Sequence, residues 1–365
     1  MLDSKSTFEP DWFSPPGSTI LSAMHRRCLS ADRLATLLEL PLNETRSLLL
    51  GDRPIDSRLA EKLSDAIGGS VAFWRNRQTD YEESLQRCAD LFDPNEVGSI
   101  TEKLPLNELR KFGWINSETS KEAQALAFFG VNSPKDWLSR YDGRAKAVAF
   151  RRSTAFDGDP NSTLAWLRQA ERLASIIPCR DWDREAFEKE LNNLRSFTTR
   201  RHPSKFFPEL VQRCAEHGVA VVFTPTPPRC TASGATFFTC KNKAVIVLSF
   251  RHLSDDQFWF SFFHEAAHLV LHDDKALFLE DESDVSLEAE KEANSFASNI
   301  LVPNELRPEL ESLPARSKPI IRFAVRVGVS PGIVVGQMQH AGFIKHSQMN
   351  GLKRRYSKEE LIASV

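Results

Sequence analysis

Phe258-Trp259-Phe260-Ser261-Phe262-Phe263-His264-Glu265-Ala266-Ala267-His268 is the stretch around which the rest of the chain falls into place. It reads as helix on both sides of the histidines, and at 3.6 residues per turn two histidines four apart share one face. Both imidazoles can then reach a single cation, while Glu265 between them projects toward a water bound to it. Zinc is the natural occupant of such a site. Two merely packed or solvated histidines are the bland alternative, which an apolar helical setting just after a strand disfavours.

A catalytic zinc usually takes three protein ligands and keeps its fourth position for water. His272 is poorly placed as the third: on a continuous helix it lies about 12 Å along the axis from His264. The glycine-broken arrangement that brings in a late histidine is excluded, because Leu271 and Asp274 occupy the positions it needs. A second helix, predicted from Ser286 to Leu301 and stopped by Pro303, offers Glu288, Glu290 and Glu292. Against its apolar stripe of Ala289, Ala293, Phe296, Ala297, Ile300 and Leu301, only Glu290 points inward. An inward carboxylate needs a partner or a metal, so Glu290 is the expected third ligand, and Glu288 and Glu292 read as solvated. Asn294, one turn on, can hydrogen-bond a ligand imidazole and fix its tautomer. The chemistry implied is amide hydrolysis, with Glu265 taking a proton from water and delivering it to the leaving amine. His252, His272, Arg251, Tyr81, Tyr141 and Tyr356 are candidates for a second electrophile, each more ordinary as a surface or packing residue.

Working outward, β-branched apolar runs predict strands at Val219 to Phe223, Ser233 to Phe238 and Ala244 to Phe250, followed by the histidine helix over Asp255 to His272. If Ser233 to Phe238 is an edge, it can take an extended peptide as an added strand; otherwise it is an ordinary paired strand. The acidic loop from Phe278 to Asp284 reads as a solvated connection that could also cover the site. Residues 19–90 read as short amphipathic helices with brief turns: Ser30 caps one, Pro41 turns the chain, Asn43 caps the next, Gly51 ends it, and Ser57 opens another that closes at Gly68-Gly69. Such a packet is what a helix-turn-helix requires. Residues 91–205 are a helical middle region whose role is not written in its chemistry, 206–345 an α+β domain, and 346–365 a C-terminal tail.

Composition narrows the functional classes. With 41% hydrophobic and 26% charged residues the chain is globular and multidomain. Lys plus Arg at 47 against Asp plus Glu at 49 leaves a net charge of −2, so no global field draws it to nucleic acid or an anionic membrane. The six cysteines show no CxxC pair or framework spacing, and no signal peptide or spanning apolar run is evident, so a cytoplasmic protein without a membrane partner is expected.

These residues resemble a known family. The stretch from Phe258 to His268, with Glu290-Lys291-Glu292-Ala293-Asn294-Ser295-Phe296-Ala297 and Leu301-Val302-Pro303, is similar to the ImmA/IrrE family of gluzincin-like metallopeptidases over roughly residues 205–345. The resemblance implies an α+β gluzincin-like fold, zinc on His264, His268 and Glu290, and Glu265 as base. It also implies a protein substrate, such as a genomic-neighbour repressor or antitoxin, cut in a stress, phage-defence or toxin-antitoxin setting. Leu34-Ala35 through Gly51-Asp52-Arg53-Pro54-Ile55 to Phe73-Trp74 is similar to XRE-type, HigA-like helix-turn-helix domains, which implies an all-α N-terminal domain, homodimerisation through it and operator DNA as partner. Asn43, Glu44, Arg46 and Ser47 would face DNA, with Arg53, Arg58 and Lys62 near phosphates, but Glu39 stands at the turn position where such domains usually carry glycine.

Two functions are therefore expected in competition. One is a zinc endopeptidase fused to a helix-turn-helix and cleaving a specific partner. The other is a DNA-binding antitoxin or transcriptional regulator whose peptidase-like domain binds or senses a partner without cutting it.

Overall fold

A computed structural model describes residues 14–90, 101, 104–115, 119–142, 159–249, 251, 253–272, 283–358 and 360–361. Within it the chain forms two compact units. The first comprises residues 1–151 and 159–168; the second comprises 152–158 and 169–365. The middle region, 91–205, is thus shared between both.

The first unit begins with five helices: α1 (Pro16–Arg26), α2 (Ala31–Leu38), α3 (Leu42–Leu50), α4 (Ser57–Ile67) and α5 (Val71–Asp90). Their apolar stripes converge on Ile20, Leu34, Leu38, Leu48, Leu59, Leu63 and Trp74, all buried. At Gly17 a Cβ would lie 2.1 Å from the Leu49 carbonyl oxygen, so only glycine lets α1 come this close to α3. Ser30 caps α2 by accepting from the Arg33 N–H at 3.2 Å, as its position predicts. Asn43 does not cap α3: the helix starts at Leu42 behind Pro41, whose fixed φ already suits a helix entry. Ser57 opens α4, and Asp56 before it is the cap, accepting from the Leu59 N–H at 2.7 Å. Further on come α6 (Leu106–Lys111), α7 (Lys121–Phe129) and the short α8 (Pro134–Trp137), with Trp114, Phe128, Phe129, Trp137 and Tyr141 in mutual ring contact. The division between the units falls inside α9 (Pro160–Ser175).

The second unit places α10 (Arg184–Leu194) and α11 (Phe207–Ala215) before a three-stranded sheet of β1 (Val219–Phe223), β2 (Gly234–Cys240) and β3 (Lys243–Leu248). The order is β1-β3-β2, with β1 parallel and β2 antiparallel to β3. β1 is buried throughout, which explains its unbroken Val-Ala-Val-Val-Phe run, whereas β2 is the half-exposed edge. Helix α12 (Asp255–Leu271) packs against the sheet, and α13 (Ser283–Leu301) lies along α12. The short α14 (Arg307–Glu311), then α15 (Ser317–Val327) and α16 (Pro331–His340), close the core behind α12.

Residues 346–365, set apart by sequence as a tail, are built into this core as far as they are described. Tyr356 and Leu361 are buried among its side chains. The Asp255 N–H donates to the Arg354 carbonyl at 2.9 Å, the Arg354 N–H returns to Asp255 Oδ1 at 3.0 Å, and Lys353 Nζ meets the buried Asp256 Oδ2 at 2.6 Å. Two acidic residues that read as a helix-start signal thus anchor the far end of the chain to the first turn of α12. No single helix among the described residues is long and apolar enough to cross a membrane.

Candidate metal centre

The centre is built by two antagonistic demands on α12. Phe258, Trp259, Phe262, Phe263, Ala266 and Leu269 face the core and are buried, which holds the helix tightly to the sheet. The face left over carries His264 and His268 one turn apart, each side chain 17% exposed. Helix α13 brings Glu290 across to them.

His264 Nε2 and His268 Nε2 lie 3.2 Å apart, His264 Nε2 is 3.2 Å from Glu290 Oε2, and His268 Nε2 is 3.3 Å from Glu290 Oε1. These three side chains can offer ligand atoms to one metal ion. Corners of a regular tetrahedron with such edges stand about 2.0 Å from its centre, the length of a metal bond to imidazole or carboxylate. Asn294 Oδ1 is 3.0 Å from His264 Nδ1, so the amide oxygen accepts the Nδ1 proton and Nε2 is the atom turned to the cluster, a donor to Glu290 when protonated and a lone pair for a metal when not. Hydrogen bonds from His264 and His268 hold the Glu290 carboxyl far below the usual carboxylate range. Burial disfavours the His264 imidazolium, but the Glu290 hydrogen bond and the charges of Glu265 and Glu290 outweigh it and leave His264 above its ordinary value. A cation entering the trio displaces protons that the carboxylate otherwise holds in place.

Glu290 meets the histidines, but it does not sink into the core as the stripe argument expects: its side chain is 52% exposed. It sits at the boundary of the buried stripe, where a ligand must be if the bound ion is to remain reachable from solvent. Glu265 is 9% exposed and lies on the sheet side of α12 against β2. Sequence reasoning missed its neighbour there, Gly234, where a Cβ would stand 2.7 Å from Glu265 Oε1. A glycine inside a predicted strand was the available signal.

The remaining candidates separate cleanly. His272 stays out of the cluster and binds Glu292 instead, Nε2 to Oε2 at 2.9 Å, so Glu292 is engaged although its side chain is 56% exposed. Tyr356 is buried in an aromatic group with Phe206 and Phe258, and burial pushes its hydroxyl pKa up. Tyr81 and Tyr141 belong to the first unit. Arg251 donates to the Thr231 carbonyl. His252 and residues 278–282 of the acidic loop lie outside the described residues, and the loop's last two residues, 283–284, already belong to α13.

Part of the chain that carries these residues also fits a sequence family. Residues 214–337 fit the family model described as the IrrE N-terminal-like domain, Peptidase_M78. That span covers about a third of the chain, takes in β1 through most of α16, and includes His264, Glu265, His268, Glu290 and Asn294. It supports a domain of metallopeptidase type in the second unit. A search of the curated proteins returns no match.

In the first unit the residues expected at DNA behave differently. Arg53 is ion-paired to Glu44, and burial lowers the pKa of Arg46, opposed by nearby Asp32. Ser47 Oγ donates to the Asn43 carbonyl at 3.1 Å. Glu39 takes the left-handed conformation that glycine would occupy, φ 52°, and its carboxylate is held by Lys62 Nζ at 2.7 Å, which also donates to the Leu38 carbonyl. Lys62 is therefore committed to the turn.

Proposed function

We propose that the chain is a zinc-dependent endopeptidase joined to an N-terminal helix-turn-helix domain and that it cleaves a specific protein partner, of the repressor, antitoxin or defence-component kind. The observation that carries this reading is the convergence of His264 and His268 with Glu290 from a second helix, beside a buried Glu265. Two imidazoles and a carboxylate at tetrahedral spacing suit zinc better than the larger, oxygen-seeking cations. Zinc, when bound, supplies a water of lowered pKa and polarises the scissile carbonyl.

The protein's own groups do the rest. His264, His268 and Glu290 hold the ion, and Asn294 keeps His264 in the tautomer that can bind it. The Glu265 carboxylate accepts the proton of the attacking water and passes it to the leaving amine nitrogen. The Ser249 N–H donates to the Ser233 carbonyl at 2.9 Å, so in this antiparallel pair Ser233, Ala235 and Phe237 face β3 with their backbone groups. Gly234, Thr236 and Phe238 then present theirs to the open edge, where an extended substrate segment can add as a strand.

In the first unit, α2, the turn at Glu39 to Pro41, and α3 support the helix-turn-helix reading. The pairing of Arg53 with Glu44 favours a protein-binding or dimerising role for that unit over operator recognition, since it removes a cation from the exposed surface. The alternative, a DNA-binding regulator whose second unit binds without cutting, leaves the buried Glu265 without a task. Incubating wild type and Glu265→Gln with zinc and the proteins encoded beside this one decides between them. A discrete product with wild type alone supports cleavage, while tight operator binding with no product from any neighbour supports the alternative.

A further inference from the structure

The side chain most exposed to error in this site is Glu265, because a carboxylate on a helix can swing about three torsions while its work requires one position. What limits it is the edge strand. A Cβ placed on Gly234 would stand 2.7 Å from Glu265 Oε1, 2.8 Å from its Cγ and 3.0 Å from its Cδ, all below normal contact. The outer half of the glutamate therefore fills the space that a side chain at position 234 would need. Gly234 is not among the glycines with positive φ, so the strand's conformation does not call for glycine there; the space does.

Resting on the peptidase reading, we infer that Gly234 is a positioning residue for the general base: its missing side chain is the slot that seats Glu265 beside the metal-ligand cluster. The same residue turns its backbone N–H and carbonyl to the open edge, so the strand that receives a substrate segment is also the wall that aims the base. Register follows from this economy. A peptide added along β2 is placed relative to Glu265 by a single shared residue, and a methyl at position 234 moves the base without touching the ion.

The contact is with the far part of a flexible side chain, so Gly234→Ala should fold with Glu265 displaced rather than with β2 displaced. The test is a crystal structure of Gly234→Ala with its zinc content, beside Gly351→Ala, a glycine with nothing within 4 Å of its would-be Cβ. The expected result is one zinc per chain in both variants and a Glu265 carboxylate moved out of its slot only in the first. A carboxylate that stays in place in Gly234→Ala overturns the inference. If that variant fails to fold, Gly234→Ala/Glu265→Ala should fold, since the obstructing side chain is gone; failure of the double variant also overturns it. Where a cleaved partner is in hand, Gly234→Ala should lower kcat by about 10- to 100-fold with KM unchanged within about twofold, and should add no loss in a Glu265→Gln background. An equal loss in that background counts against the inference. Absence of cleavage by wild type would instead defeat the peptidase reading, while the structural comparison still decides whether Gly234 seats Glu265.

Discussion

The polar face of α3 in the first unit and the polar face of α12 in the second are opposite solutions to one problem. On α3 the charged groups are cancelled locally: Glu44 takes Arg53, and Arg46 is desolvated near Asp32. On α12 the two histidines are completed by α13, which delivers Glu290 and Asn294 from 22 to 30 residues away. Local cancellation describes a surface at rest. Completion across elements, with two imidazoles and a carboxylate forced together beside a packed core, describes a site built for a ligand, because nothing in folding alone requires it.

The contrast can be broken most severely at Glu265, the proposed base. Glu265→Gln should retain metal and fold yet lose about 10²- to 10⁴-fold in cleavage rate, measured on any partner that wild type cuts. His264→Ala should remove stoichiometric zinc, read by metal analysis after dialysis; a retained ion would dissolve the contrast, since α12 would then be no more of a site than α3. Next in size is the anchor behind the helix. Lys353→Met leaves the Asp256 carboxylate buried without its partner and should destabilise the second unit by about 3–5 kcal/mol in denaturant melts. Asn294→Ala should weaken metal affinity about 10- to 100-fold in a competition titration while leaving the fold intact.

The pH dependence of metal binding follows from His264. Protons compete for the same lone pair, and its pKa in the metal-free protein is raised, so affinity should be full at alkaline pH and begin to fall from above the ordinary histidine range as pH decreases. Isothermal titration at several pH values reads this directly. The smallest effect belongs to the first unit. Glu44→Gln releases Arg53, and if α3 does meet DNA, affinity should rise and the salt dependence steepen by about one counterion; no change in either would mark the surface as a protein contact.

How much of this was legible beforehand depended on the range of the interactions. The three strands and both site helices were visible within a few residues of their ends, because β1 and β3 are continuous apolar runs and α12 and α13 carry a 3.6-residue period. The structure departs from the local pattern at particular places. Asn43 has the chemistry of a cap, but Pro41 sets the entry and α3 starts at Leu42. Glu292 is exposed, as a solvated residue should be, and pairs in addition with His272, which no local pattern reveals. Residues 346–365 stand as a tail in the sequence, yet Lys353 and Arg354 reach the acidic start of α12.

The sequence alone determined which atoms can bind a metal here. A histidine pair four apart on a helix shares a face whatever surrounds it, since the spacing is a property of the backbone, and the apolar stripe of α13 singles out one glutamate of three. Only the tertiary structure decided that these atoms meet at 3.2–3.3 Å, that Glu290 stays half open to solvent, and that β2 is the strand lying against Glu265. The reason is that such facts depend on how elements distant in sequence pack against one another, and periodicity reports which face of an element is buried but not what lies against it. Gly234 is the clearest instance: a residue with no side chain becomes meaningful only when another chain segment fills the space it leaves.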